Sequence, residues 1–149
     1  MTKLRRLPDW TARIIIRSAS GILFVRESGR PWELPGGKRE PDDIDPLSTA
    51  RRELEEETGL PALHGDFILR SVRSKRQGKN SIYDVYYYEA VFSRPIIREY
   101  LLSINADGDD VRMRSYKVVQ RGEDFRQVHL DALRKLRCLG PSTNGRVKE

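Results

Sequence analysis

Three glutamates, Glu53, Glu56 and Glu57, stand at i, i+3 and i+4 in the run Arg52-Glu53-Leu54-Glu55-Glu56-Glu57-Thr58-Gly59-Leu60. On a helix that turns about 100° per residue, their carboxylates leave one face within about a turn of each other. Like charges at that spacing repel, and a divalent cation relieves the repulsion. Hard carboxylate oxygens favour Mg²⁺ or Mn²⁺ over zinc. Glu55 points about 100° or more away from its neighbours and is the member least suited to share their site. Arg52 precedes Glu56 by four residues, where a guanidinium can orient a carboxylate and offset part of the charge. Upstream lies Leu34-Pro35-Gly36-Gly37-Lys38, a glycine pair followed by a cation.

A helix with defined ends must position these carboxylates. Asp45 can cap its N-terminus, Pro46 suits the first turn, and Gly59 supplies the left-handed residue that commonly follows the last. Leu47, Ala50 and Leu54, at i, i+3 and i+7, form a narrow apolar stripe beside the glutamates. Before this helix, residues 12–16 and 21–26 are short β-branched runs separated by Ser18-Ala19-Ser20 and read as two strands or a hairpin. Gly29-Arg30-Pro31 turns the chain. Trp32 and Leu34 alternate with Glu33, which predicts a strand that delivers the glycine loop. Trp32 reads first as core and second as a surface for substrate stacking.

After the helix, residues 67–72 and 81–92 are strand-like, joined by the basic stretch 74–80. Residues 82–92 are apolar on both alternating faces, as in a central strand, so Tyr83, Tyr86, Tyr87 and Tyr88 are mainly sheet packing, with one left to stack on a base. Arg73, Lys75, Arg76 and Lys79 read as a solvated hairpin tip, with phosphate or RNA contact as the alternative. Asp107-Gly108-Asp109-Asp110 is an acidic loop before a predicted strand at 111–119. Residues 123–138 suit a closing helix with Phe125, Val128, Leu130, Leu133 and Leu136 as its apolar positions. Residues 141–149 are polar and expected to form a flexible tail after a single domain at 1–140. His64 and His129 lack zinc-ligand spacing and read as surface or packing residues. Cys138 is the only cysteine and has no internal disulfide partner; it reads as a partly buried helix residue.

The glycine pair and the run from Arg52 to Leu60 together resemble the Nudix hydrolase signature, a loop-helix-loop that binds divalent metal and cleaves a diphosphate linked to another moiety, usually a nucleoside. The resemblance implies an α/β fold, an α/β/α sandwich around a curved mixed sheet. By position, it implies that Gly37 offers a backbone carbonyl to the metal, that Glu53, Glu56 and Glu57 are its carboxylate ligands, and that Arg52 holds the helix glutamates. Residues 38–51 are one longer than the family's usual spacing, and the family's loop glutamate is replaced by Asp42 or Asp43. An acidic residue from a later loop often completes such sites or acts as general base, which nominates Asp110, then Asp109. Either could equally be part of an Asp-Gly turn. Lys38 is a candidate phosphate contact.

The implied reaction is metal-assisted attack of water on a diphosphate phosphorus, with Glu53 or a loop aspartate taking the proton. A nucleoside triphosphate or nucleotide sugar is the expected substrate. Removal of pyrophosphate from RNA 5′ ends is the second enzymatic reading, and a nucleotide-sensing module without turnover is a third, non-catalytic one. At 149 residues and 38% hydrophobic, the chain can bury one core. With no apolar stretch of about 18 residues and no apolar centre near its N-terminus, a soluble cytoplasmic protein is expected, with no membrane partner. The net charge of +6 suits anionic partners, nucleotides first and RNA second, without choosing between them. A homodimer stays open.

Overall fold

The computed structural model describes residues 9–18, 21–27, 29–58, 67–77, 81–91, 110–114, 116–121 and 124–139. A four-stranded sheet contains β1 (Trp10–Ile15), β4 (Gly36–Lys38), β5 (Phe67–Gln77) and β6 (Ser81–Ala90) in the order β4-β1-β6-β5. β1 and β6 run parallel, and the other pairs are antiparallel. The second sheet, β2-β3-β7, joins β2 (Arg17–Ser18), β3 (Gly21–Arg26) and β7 (Asp110–Arg114) in antiparallel pairs. The helices are α1 (Pro46–Thr58), α2 (Tyr116–Arg121) and α3 (Gln127–Lys135).

Period-two alternation explains why these strands are buried on both faces. On β6, Val85 and Tyr87 join one core with Ile15, Ile22, Phe24, Leu34, Leu130 and Leu133. The intervening Tyr88 and Ala90 join a second core with Ala12, Ile14, Ile16, Leu23, Ala50 and Leu54. α3 closes the first core and α1 the second, which is the expected α/β/α sandwich around a mixed sheet. β6 is central, as its two apolar faces predicted. Among the described residues, no helix is long and apolar enough to cross a membrane.

Four segments differ from expectation. Residues 111–119 are not one strand: β7 ends at Arg114 and α2 runs from Tyr116. Tyr116 and Val119, three apart, both pack on the first core, so helical spacing overrides the β preference of the valine pair. Residues 32–34 form isolated bridges, not a strand, with Trp32 paired to Phe125 and Glu33 to Val25. The flanking Pro31 and Pro35 cannot donate to a ladder. This segment is held from the α3 side, because the Leu34 N–H donates to His129 Nδ1 (3.0 Å) and the Arg126 N–H to the Trp32 carbonyl (2.8 Å). β5 runs on to Gln77. The closing helix is shorter than expected, ending at Lys135. Gly59, His64 and the tail at 141–149 lie outside the described residues.

β4 is the glycine segment itself, paired so that Gly36, Gly37 and Lys38 face Arg13, Ala12 and Thr11. Gly36 has φ +149°, and a Cβ there would lie 2.1 Å from the Ala12 carbonyl oxygen and 2.9 Å from the Arg13 Cα. Neither backbone group can move without opening the ladder. Gly36→Ala is therefore expected to lower the unfolding free energy by about 3 kcal/mol, read by urea denaturation; unchanged stability would refute this account of the junction.

Candidate active site

α1 begins where its cap predicts. The Ser48 N–H donates to Asp45 Oδ1 (2.8 Å), and Pro46 opens the first turn. Buried Ala50 and Leu54 dock on β1, and the Trp10 indole N–H donates to the Thr49 hydroxyl (2.8 Å), fixing the start of the helix to the start of β1. With that face spent on packing, the glutamate face is left beside β4.

Arg52 is the hub. Its Nε and Nη2 donate to the two oxygens of Asp43 at 3.0 and 2.8 Å, a bidentate pair. Its Nη1 donates to Glu53 Oε2 and Glu56 Oε1, each at 3.0 Å, and lies 3.3 Å from Glu40 Oε2. Nη2 also reaches the Lys38 carbonyl at 3.2 Å. Asp43 is only 5% exposed and further accepts the Glu40 N–H and the Thr49 hydroxyl, both at 2.8 Å. The Arg52 hydrogen bonds are the main reason its pKa falls to about 2, and Arg52 is in turn held protonated. Of the two aspartates left open by the sequence, Asp43 is thus the one that meets the arginine; Asp42 is exposed.

The three glutamates diverge in environment. Glu56 is exposed and leans on Arg52. Glu53 is half-buried, and burial raises its pKa against the opposing pull of Arg52. Its carboxylate lies so close to Gly37 that a Cβ there would fall 2.3 Å from Oε2. Glu57 accepts the Gly36 N–H at 2.7 Å. Burial lifts its pKa to about 8, with Glu53 adding to the rise and the Gly36 N–H opposing it. Among the described residues, no three His, Cys, Asp or Glu side chains are already gathered as an ion-holding group. Glu53 and Glu56 are turned onto Arg52, and Glu57 onto Gly36.

Arg13 is a site neighbour that sequence reasoning missed. Its guanidinium donates to the Leu34 carbonyl (3.0 Å), lies 3.9 Å from Glu33 and favours the ionised forms of Glu53 and Glu57. A charge inside the apolar run Ala12-Arg13-Ile14-Ile15-Ile16 was the available signal. Lys38 is exposed at the end of β4. Trp32 is 4% exposed, with Arg26 and Arg114 over its ring at 4.4 and 5.1 Å, so it has no open face for a ligand. Asp110 opens β7, its backbone paired with Arg26 in the second sheet, while Asp109 lies outside the described residues.

Because the folded pKa of Asp43 is depressed, its pairing stabilises the fold above the unfolded carboxylate range and is lost as pH falls from about 4 towards 2. That shift corresponds to about 2 kcal/mol at neutral pH. Asp43→Asn should lose about that much, and its stability should vary less than wild type between pH 4 and 2 in urea titrations. Parallel pH profiles would contradict the assignment.

Residues 7–133 match the model of the NUDIX domain family. No curated protein matches the sequence. Among solved structures, a NUDIX hydrolase from Nitrosomonas europaea superposes with TM-score 0.66 at 16% identity, over 96% of this chain and 97% of that one. The NUDIX domain of Shewanella oneidensis NrtR, complexed with ADP ribose, gives TM-score 0.65 at 17% identity, over 89% and 88%. A MutT/nudix family protein from Enterococcus faecalis gives TM-score 0.54 at 18% identity over 77% of this chain, which spans 46% of that longer one. At such identities the structures speak for the fold, and the family model for membership. The glutamate helix against a glycine strand therefore has its explanation: the chain belongs to the Nudix family and is a Nudix-type pyrophosphohydrolase, an enzyme acting on acid anhydrides.

Proposed function

We propose that the protein hydrolyses the diphosphate of a nucleoside diphosphate-linked small molecule, a nucleoside triphosphate or nucleotide sugar, with Mg²⁺, or Mn²⁺ in its place, held by Glu53, Glu56, Glu57 and the Gly37 carbonyl. The observation that carries this reading is the seating of two carboxylates against the glycine strand, Glu57 on the Gly36 N–H at 2.7 Å and Glu53 against Gly37. Two adjacent carboxylates with too little compensating charge suit a hard divalent cation, and the all-oxygen donor set suits magnesium over zinc. When bound, such an ion lowers the pKa of water and neutralises charge on the phosphates.

The remaining chemistry belongs to the chain. Arg52 holds Glu53 and Glu56 at fixed positions until they are needed as ligands. Glu53, half-buried against Gly37, is our first choice to accept the proton of the attacking water, with Asp110 the second. Lys38 meets a substrate phosphate. Arg13 favours the ionised forms of Glu53 and Glu57, and Lys38 closes the glycine strand in register with Thr11, so cations stand near the glutamates. A polyanionic substrate suits them. The ADP ribose bound to the Shewanella domain supports a nucleotide-type ligand.

The test is Mg²⁺-dependent release of phosphate or pyrophosphate across nucleoside triphosphates, nucleotide sugars, dinucleotides and 5′-triphosphorylated RNA, with Glu57→Gln alongside. One nucleotide class should turn over, and the variant should lose about 100-fold or more. A raised folded pKa means that stability from the Glu57 proton is present at low pH and lost as pH rises through about 8. Without metal above pH 8, Glu57→Gln should thus be at least as stable as wild type. Full activity in the variant, or silence across the panel despite nucleotide binding, would reject the proposal, the latter in favour of a sensing module.

A further inference from the structure

The chain reaches the glutamates through a joint at Leu34. Before it, both backbone groups of Glu33 bond to Val25 at 2.9 Å; after it, the Pro35 carbonyl accepts the Ile14 N–H at 2.8 Å and Gly36 enters the ladder with β1. Leu34 has no backbone partner among the described residues. Side chains meet both of its polar groups instead: its N–H donates to His129 Nδ1 and its carbonyl accepts from Arg13 Nη1, each at 3.0 Å. A ladder between strands tolerates most side-chain changes, whereas a bond of this kind rests on one residue.

Pro35 makes the joint stiff. It has no N–H and its ring fixes φ, so Leu34 and Gly36 carry the donors on either side of it. The first is spent on His129 of α3, the second on Glu57 of α1 at 2.7 Å. α3 grips the same stretch twice more, through the Arg126 N–H on the Trp32 carbonyl and the Arg126 guanidinium on Glu33, each at 2.8 Å. Gly37 then lies against the Glu53 carboxylate with no room for a methyl group. At such contacts a shift of about 1 Å can cost about 100-fold in rate.

We propose, on the reading of Glu53 and Glu57 as metal ligands, that His129 is a positioning residue of the reaction. Through Leu34 and Pro35 it sets where the Gly36 N–H meets Glu57 and where Gly37 meets Glu53. It does so from α3, which closes the first core, while the glutamates stand on α1, which closes the second. His129 is buried at 3% exposure, and its part is to hold the strand, with Arg13 holding the other polar group of Leu34.

Three substitutions at 129 provide the test, read by Mn²⁺ titrated into the substrate-free protein under electron paramagnetic resonance and by kcat and KM on the nucleotide that wild type turns over. Asparagine places its Oδ1 acceptor where Nδ1 lies, glutamine places its amide where Nε2 lies, and leucine has no acceptor. His129→Leu and His129→Gln should lower kcat about tenfold or more with KM within about twofold, and weaken Mn²⁺ binding by a similar factor. His129→Asn should keep both near wild type. Glutamine and asparagine differ by one methylene, so His129→Gln keeps the comparison should His129→Leu fail to fold. A folded His129→Gln with wild-type kcat and Mn²⁺ affinity would overturn the positioning role. So would an equal loss in His129→Asn, which marks a structural role only. If wild type hydrolyses no nucleotide, the hydrolase reading fails and the Mn²⁺ affinities still decide: wild type and His129→Asn above His129→Gln supports positioning, and equal affinities overturn it.

Discussion

Arg52 carries the geometry of this site. One guanidinium spans the loop before α1, through Asp43 and Glu40, and the helix itself, through Glu53 and Glu56. Because its fork is planar and always charged, it fixes the plane of the Asp43 carboxylate as well as its distance. Asp43 is in turn pinned by Thr49 and the Glu40 amide, so the loop closes on the helix before any ligand is present. A lysine at 52, with its three donors on a single nitrogen, could not reproduce the bidentate pair with Asp43 while also reaching the helix glutamates. The loop is also one residue longer than the family's usual spacing; Ile44, just past Asp43, is 85% exposed.

β1 is the common reference for everything that acts. It pairs with the glycine strand on one side and with β6 on the other, and α1 packs on it through Ala50 and Leu54. Its two faces do different work. Ala12 and Ile14 bury into the core under α1, while Ile15 enters the core under α3 and Arg13 meets the Leu34 carbonyl and Glu33. The position of the glutamates is set from a strand in the middle of the fold, with the glycines allowing the backbone to pass within contact of Glu53 and of β1.

The glutamate helix was legible because several local signals agreed: an aspartate cap, a proline in the first turn, an apolar stripe and carboxylates at i, i+3 and i+4. β6 was legible for a similar reason, its apolar residues filling both faces. The failures were of another kind. Whether Asp42 or Asp43 would meet Arg52 depended on how an irregular loop folds back across nine residues, and no periodicity encodes that. Arg13 joins the site only through pairing of distant strands. At 116–119 a valine pair suggested a strand, yet contact with the core at Tyr116 and Val119 rewards a helix. Trp32, a candidate for substrate stacking as well as for the core, is core alone, because its two guanidinium neighbours come from β3 and β7, which only the second sheet brings together.

The hydrogen bond from Leu34 to His129 has a consequence for the proton inventory of the imidazole. A ring nitrogen that accepts from a backbone amide has no hydrogen of its own, so the neutral tautomer with hydrogen on Nε2 is the one compatible with this fold. An imidazolium, with hydrogens on both nitrogens, would place N–H against N–H next to Pro35 and Gly36. The histidine of α3 thereby couples its own charge state to the approach of the glycine strand, from the side of the molecule opposite the glutamates.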